Sequence, residues 1–135
     1  MTKADVPKIF RIILQVPDLE RAAHFYSALL GVPGRRIRWA RHYFDCGAVI
    51  LALLDPSEDA KQPKSAPDCT YFSVLDLDAV HARAKELSCL SQNDVHGAPG
   101  GAIKKRPWGE RSFYVIDPFG NELCFVEADT IFTGK

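Results

Sequence analysis

Hydrophobic and polar positions along the chain follow two alternating rhythms, and the sequence of rhythms occurs twice. In IFRIILQV (9–16), Phe10, Ile12, Leu14 and Val16 fall on one side of a strand and Ile9, Arg11, Ile13 and Gln15 on the other. The pattern then lengthens to a helical one, with Ala22, Phe25, Tyr26, Leu29 and Leu30 on one stripe ending at Gly31. TYFSV (70–74) restarts the strand rhythm, and Val80, Ala84 and Leu87 restart the helical one. In both copies V-x-D-L joins strand to helix, Val16–Leu19 matching Val74–Leu77 at an offset of 58. Asp18 and Asp76 are therefore expected as helix N-caps.

Three strand-like segments follow each helix. They are RIRWA, HYFDC and VILALL in the first copy, and AIKKR, SFYVI and NELCFVE in the second. Turns at Asp45-Cys46-Gly47 and Asp117-Pro118-Phe119-Gly120 precede the last strand of each. The expectation is an α+β protein, a single domain over 1–135 made of two βαβββ modules in tandem. Module one spans about 8–54, a proline-containing linker 55–68, and module two about 69–128. Neither module is large enough to bury its sheet alone.

Composition narrows the function classes. Lys+Arg and Asp+Glu both number 17, so the chain has no net pull toward nucleic acid or a membrane surface. The opening MTKADVPKIF has no apolar signal core, and cytoplasmic localisation is expected. Cys46, Cys69, Cys89 and Cys124 show no CxxC spacing, as reduced and mostly buried thiols would.

The duplicated pattern resembles the glyoxalase/bleomycin-resistance/dioxygenase group, the vicinal oxygen chelate superfamily. V-x-D-L-x-x-x-x-x-F-Y-x-x-L-L-G and W-G-x-R-x-F-Y-V-x-D-P-F-G-N carry the resemblance, which covers residues 8–128. It implies curved sheets around a cleft, helices outside, and a homodimer. It also implies metal-ligand positions on the first and last strand of each module. Here these read Arg11, Leu51, Cys69 and Cys124, and a one-residue shift from Leu51 to Ile50 or Ala52 would supply no better ligand. Arginine has no lone pair to give, leucine has no donor, and two thiols do not suit a hard divalent ion. His24, His42, His81 and His96 are too scattered to replace them. No metal and no cofactor is therefore expected.

On the last strand, Leu123 and Phe125 are expected under the helix, and Glu122, Cys124 and Val126 toward the cleft. Cys124 should face Cys69, with Glu122 the partner of Arg11. Trp39, Tyr43, Tyr71 and Trp108 are flat amphipathic groups suited to a planar ligand, and Trp108, on a turn between Pro107 and Gly109, has the weakest claim to core packing. Arg35, Arg36, Arg38 and Arg41, with Lys104-Lys105-Arg106, are expected mostly as solvated edge charges, while Arg11 would be the buried partner of an anionic ligand. HGAPGG (96–101) reads as a flexible hairpin at the cleft mouth. The expected function is metal-free binding of a small organic molecule, aromatic or amphipathic, at Arg11, Ile13, Trp39, Leu51, Cys69, Tyr71, Trp108, Glu122 and Cys124. A glyoxalase-like lyase or dioxygenase-type enzyme of the same superfamily is the alternative.

Overall fold

The computed structural model describes residues 5–135; positions 1–4 of the expected 1–135 domain lie outside the described residues. The first module contains β1 (Arg11–Gln15), α1 (Leu19–Leu30), β2 (Arg35–Ile37), β3 (Arg41–Cys46) and β4 (Val49–Leu54). The second contains β5 (Thr70–Val74), α2 (Leu77–Glu86), a small hairpin of β6 (Asp94–Val95) and β7 (Ala98–Pro99), then β8 (Lys104–Lys105), β9 (Arg111–Ile116) and β10 (Glu122–Glu127). Sheet A has the order β1-β4-β3-β2 and sheet B the order β5-β10-β9-β8. First and last strands of each module pair in parallel, as the duplicated pattern requires.

Local chemistry explains the helix boundaries. Asp18 accepts a hydrogen bond from the Arg21 amide and Asp76 one from the Ala79 amide, each satisfying an orphan donor of the first turn. Gly31 closes α1 at φ 77°, a left-handed conformation that a residue with a Cβ adopts only under strain.

The helix-covered faces of both sheets share one core. Leu14, Leu29, Phe44 and Leu53 of the first module belong to the same cluster as Leu77, Phe113, Leu123 and Phe125 of the second. Phe125 stacks against Phe72 and Phe113 at 5.1 and 5.5 Å. Polar bonds fix the modules' relative position. The Tyr26 hydroxyl on α1 donates to Asp117 at 2.6 Å, and Arg83 Nε on α2 donates to the Leu29 carbonyl at 3.0 Å. The linker is pinned where the Ala66 amide donates to Asn121 Oδ1 and the Lys64 amide to Gln15 Oε1.

Because the core joins the helix-covered faces, the opposite face of each sheet lies outside it. No helix among the described residues is long and apolar enough to cross a membrane.

Candidate functional site

On sheet B, period-two alternation puts Tyr71 and Ser73 of β5, Cys124 and Val126 of β10, and Ser112 and Tyr114 of β9 on the face away from α2. Cys124 lies opposite both Tyr71 and Tyr114, and Val126 opposite Ser73 and Ser112. Cys69 just precedes β5 and packs, with Val95 of the β6–β7 hairpin, against the small cluster of Tyr114, Cys124 and Val126. The two thiols thus belong to one patch, as expected, although the residue in register with Cys124 is Tyr71. All four cysteines are free thiols.

The chain covers part of this face itself. Residues 89–101 run beside β9: Ser91 donates to the Tyr114 carbonyl at 2.9 Å, and Tyr114 to the Gly100 carbonyl at 2.8 Å. Gly101 makes the close approach possible, since a Cβ there would stand 2.6 Å from the Ser91 carbonyl oxygen. HGAPGG is thus a hairpin whose neighbour Val95 seals Cys124, leaving the thiol only 1% exposed. Burial pushes the Cys124 thiol up to about 11, against smaller opposing effects of Ser112, Tyr114 and Arg106. Cys69 is raised as well, by burial first and then by Cys124 and Glu122.

Arg106 corrects the reading of Lys104-Lys105-Arg106 as a solvated run. The two lysines are exposed, but Arg106 is 3% exposed, because it folds under the loop with its Nε donating to Ser112 Oγ at 2.9 Å. A second guanidinium nitrogen donates to the Ser112 carbonyl at 3.0 Å, and the group lies 5.2 Å over the Tyr114 ring. Arg106, not Arg11, is the buried cation near Cys124.

Beside this covered patch a groove of about 620 Å³ remains open, lined by Tyr71, Ser73, Trp108, Glu110, Val126 and Phe132 among others. Trp108 reaches it from the turn that ends at Gly109, whose φ of 97° favours glycine. Trp108 Nε1 donates to Glu110 Oε1 at 2.7 Å, and the His96 ring meets the indole edge-on at 4.9 Å. Glu110 Oε2 also accepts the Phe132 amide at 2.9 Å, tying the C-terminal segment to the groove wall. Glu110 and Phe132 are site residues that sequence reasoning missed. Glu110 carries a signal in hindsight, being two residues from Trp108 in a turn.

Sheet A receives the remaining expected site residues. Arg11 is exposed on β1 and makes no ion pair with Glu122, which sits on β10 of the other sheet. That expected pair assumed a single cleft; the shared core instead leaves the two residues on separate sheet faces. Ile13 lies opposite Ala52 and is 43% exposed. Leu51 is a second correction. It lies opposite Ile12, on the helix-covered face, and lines a crevice between the modules with Ile12, Phe72 and Phe125. A one-residue shift moves a strand side chain to the other face. The register equates Cys124 with Ala52, which stands seven residues after Asp45 as Cys124 stands seven after Asp117. Trp39 occupies the turn between β2 and β3 at φ 63°, is 70% exposed, and does not line the groove.

The four superfamily ligand positions are thus Arg11, Ala52, Cys69 and Cys124. A cation, a methyl group and two thiols held protonated do not fit a divalent metal. Among the described residues no three His, Cys, Asp or Glu side chains gather into an alternative set.

A tandem βαβββ fold with a groove on the uncovered side of a sheet defines a class, and the comparisons name it. The model of the Glyoxalase/Bleomycin resistance protein/Dioxygenase superfamily matches residues 8–125, and the chain belongs to that superfamily. Among solved structures it is similar to a glyoxalase/bleomycin resistance protein from Albidiferax ferrireducens T118, with TM-score 0.71 and 21% identity over 88% of this chain and 97% of that one. A lactoylglutathione lyase from Agrobacterium tumefaciens superposes with TM-score 0.63 and 23% identity, covering 92% and 96% of the two chains. The oxidase ChaP-H1 gives TM-score 0.74 and 20% identity, covering 96% and 100%. At these identities the likeness establishes the fold alone.

Proposed function

We propose that this chain is a small-molecule-binding member of the superfamily that works without a divalent metal. Its ligand is an aromatic or amphipathic organic compound taken into the sheet B groove. The observation that carries this reading is the groove itself: Trp108 stands fixed by Glu110 and His96, across a floor that includes Tyr71 and Val126. A rigid indole over an apolar floor gives contact area at little conformational cost. Sequestration of a drug-like compound, in the manner of bleomycin resistance, is one concrete form. The alternative, a lyase or dioxygenase-type enzyme, would require a metal that Arg11, Ala52, Cys69 and Cys124 are not suited to hold.

The test is a titration of intrinsic fluorescence with a panel of aromatic natural products. A binding compound should perturb the Trp108 signal, and Trp108→Ala should weaken binding by about 1–3 kcal/mol. A compound that binds with the same dissociation constant in that variant would remove the groove from consideration.

The working form is a homodimer. Among the described residues β1 pairs only with β4 and β5 only with β10, so in them each sheet has an open edge at its first strand. Ile9, Phe10, Ile12 and Ile13 are exposed along one of these edges and Tyr71 on the other. Open strands carrying apolar side chains on both faces call for cover, and a second copy supplies it symmetrically. Light scattering at micromolar concentration should return a mass near 30 kDa, about twice the chain's 15.0 kDa. A species of single-chain mass would overturn this.

A further inference from the structure

The Trp108 groove carries a charge that nothing around it balances. Tyr71, Trp108 and Phe132 bring aromatic rings to its lining, Val126 and Ile131 bring apolar surface, and Glu110 brings a carboxylate. Among the described residues no lysine, arginine or histidine lines the groove. Glu110 is half-buried and makes no ion pair among the described residues. The arginines near it in sequence are engaged elsewhere. Arg111 pairs with Glu127 and Asp78, and Arg106 gives its guanidinium to Ser112.

The bonds Glu110 does accept come from neutral donors, the Trp108 indole N–H and the Phe132 amide. They hold the carboxylate in place without cancelling its charge, and each oxygen keeps a lone pair for a further partner. A neutral guest would strip water from this carboxylate and return nothing, and an anion would meet it with like charge. An organic cation meets both needs. The rings add a second attraction, since the face of Trp, Tyr or Phe draws a cation held within about 6 Å. Tyr71 and Phe132 are more than half exposed, so these rings are not consumed by core packing.

We propose that the groove's ligand is a small organic ammonium, quaternary or tertiary. Its charged nitrogen sits beside Glu110 among the rings of Trp108, Tyr71 and Phe132, and its apolar body lies over Val126. This rests on the groove reading above and adds the charge of the guest.

Two probes of nearly the same shape differ by that charge, meta-hydroxyphenyltrimethylammonium and its carbon isostere meta-tert-butylphenol. The full chain, labelled with ¹⁵N, is titrated with each while the Trp108 indole N–H and the Phe132 amide are followed. Trp39, outside the groove, supplies an internal control signal. The ammonium should bind at least about ten-fold more tightly than the isostere. Glu110→Gln, which keeps an oxygen for the indole N–H but removes the charge, should weaken the ammonium about ten-fold and leave the isostere within about two-fold. Phe132→Leu, on the chain's exposed last segment, should weaken the ammonium more than the isostere, and it keeps the test open if Glu110→Gln does not fold. Equal affinity for the two probes, or full ammonium binding by Glu110→Gln, would overturn the charge assignment and leave the groove standing. If neither probe moves the Trp108 signal, the groove reading and this inference fail together.

Discussion

The two modules share a backbone plan and treat the outer face of the sheet in opposite ways. By register Arg11 corresponds to Cys69, Ile13 to Tyr71 and Ala52 to Cys124. On sheet A Arg11 and Ile13 are exposed, and Ala52 is buried beneath neighbouring side chains rather than a loop. Sheet B closes over Cys124 and Tyr114 with its own loop. The offset between modules is 58 on the first strands, 71 between β3 and β9 and 72 on the last. Thirteen residues are therefore added between the first strands and β9, in the stretch after α2, and one more in the β9–β10 turn. That insertion supplies Val95 and the strand-like contacts to β9. A face capped by its own chain can afford buried thiols and a buried arginine, while the open face is left with soluble charges. A small insertion thus changes the chemistry available to a duplicated scaffold more than the scaffold itself does.

The sharpest way to break this comparison uses the aspartates at the corresponding hairpins. Asp117 is buried and accepts from the Tyr26 hydroxyl, the Phe119 and Asn121 amides and Asn121 Nδ2. Asp45 is exposed and serves one surface ion pair with Arg35. Asp117→Ala would strand several buried donors and should cost about 3 kcal/mol or more. Asp45→Ala should cost no more than about 0.5 kcal/mol. Urea unfolding of both variants measures the difference. Similar losses would mean that the two modules are locked by something other than the Tyr26–Asp117–Asn121 network.

How much of this was legible follows from where period-two and helical patterns operate. The repeat of strand, V-x-D-L and amphipathic helix identified both modules, both N-caps and the helix-facing Leu123 and Phe125, because each of those signals is local. Arg106 left no such trace. It follows a two-residue strand within a charged run, too short for alternation to say which side it takes, and its burial depends on a loop folding back from residues 89–101. Leu51 was misplaced for want of a register, although the spacing of seven from Asp45 pointed to Ala52. The Arg11–Glu122 pairing presumed that both sheets face one cleft. Only the three-dimensional core, joined through the helices, shows that they take separate faces.

Cys124 gives a finer test, since its counterpart Ala52 carries no ionisable group. The thiol is held at about 11, up from 9.0, so the native state keeps a proton that the unfolded chain releases earlier. Where the native state binds more protons than the unfolded state, stability falls as pH rises. The Cys124 contribution is therefore intact below about 9 and is lost progressively as pH approaches about 11. Cys89, raised by burial to about 11, declines over the same range, so the whole protein will weaken there. Cys124→Ser should cost about 1 kcal/mol at neutral pH, because Ser112 and Tyr114 stand close enough to satisfy a hydroxyl. It should also flatten the alkaline decline relative to the parent without abolishing it, as urea midpoints at pH 8 and pH 10.5 would read out. A thiol reagent at neutral pH should modify Cys124 slowly, since both the proton and the Val95 cover must be removed first. Fast labelling of Cys124 at pH 7 would mean that the loop does not seal sheet B, and the contrast between a capped and an open face would fail.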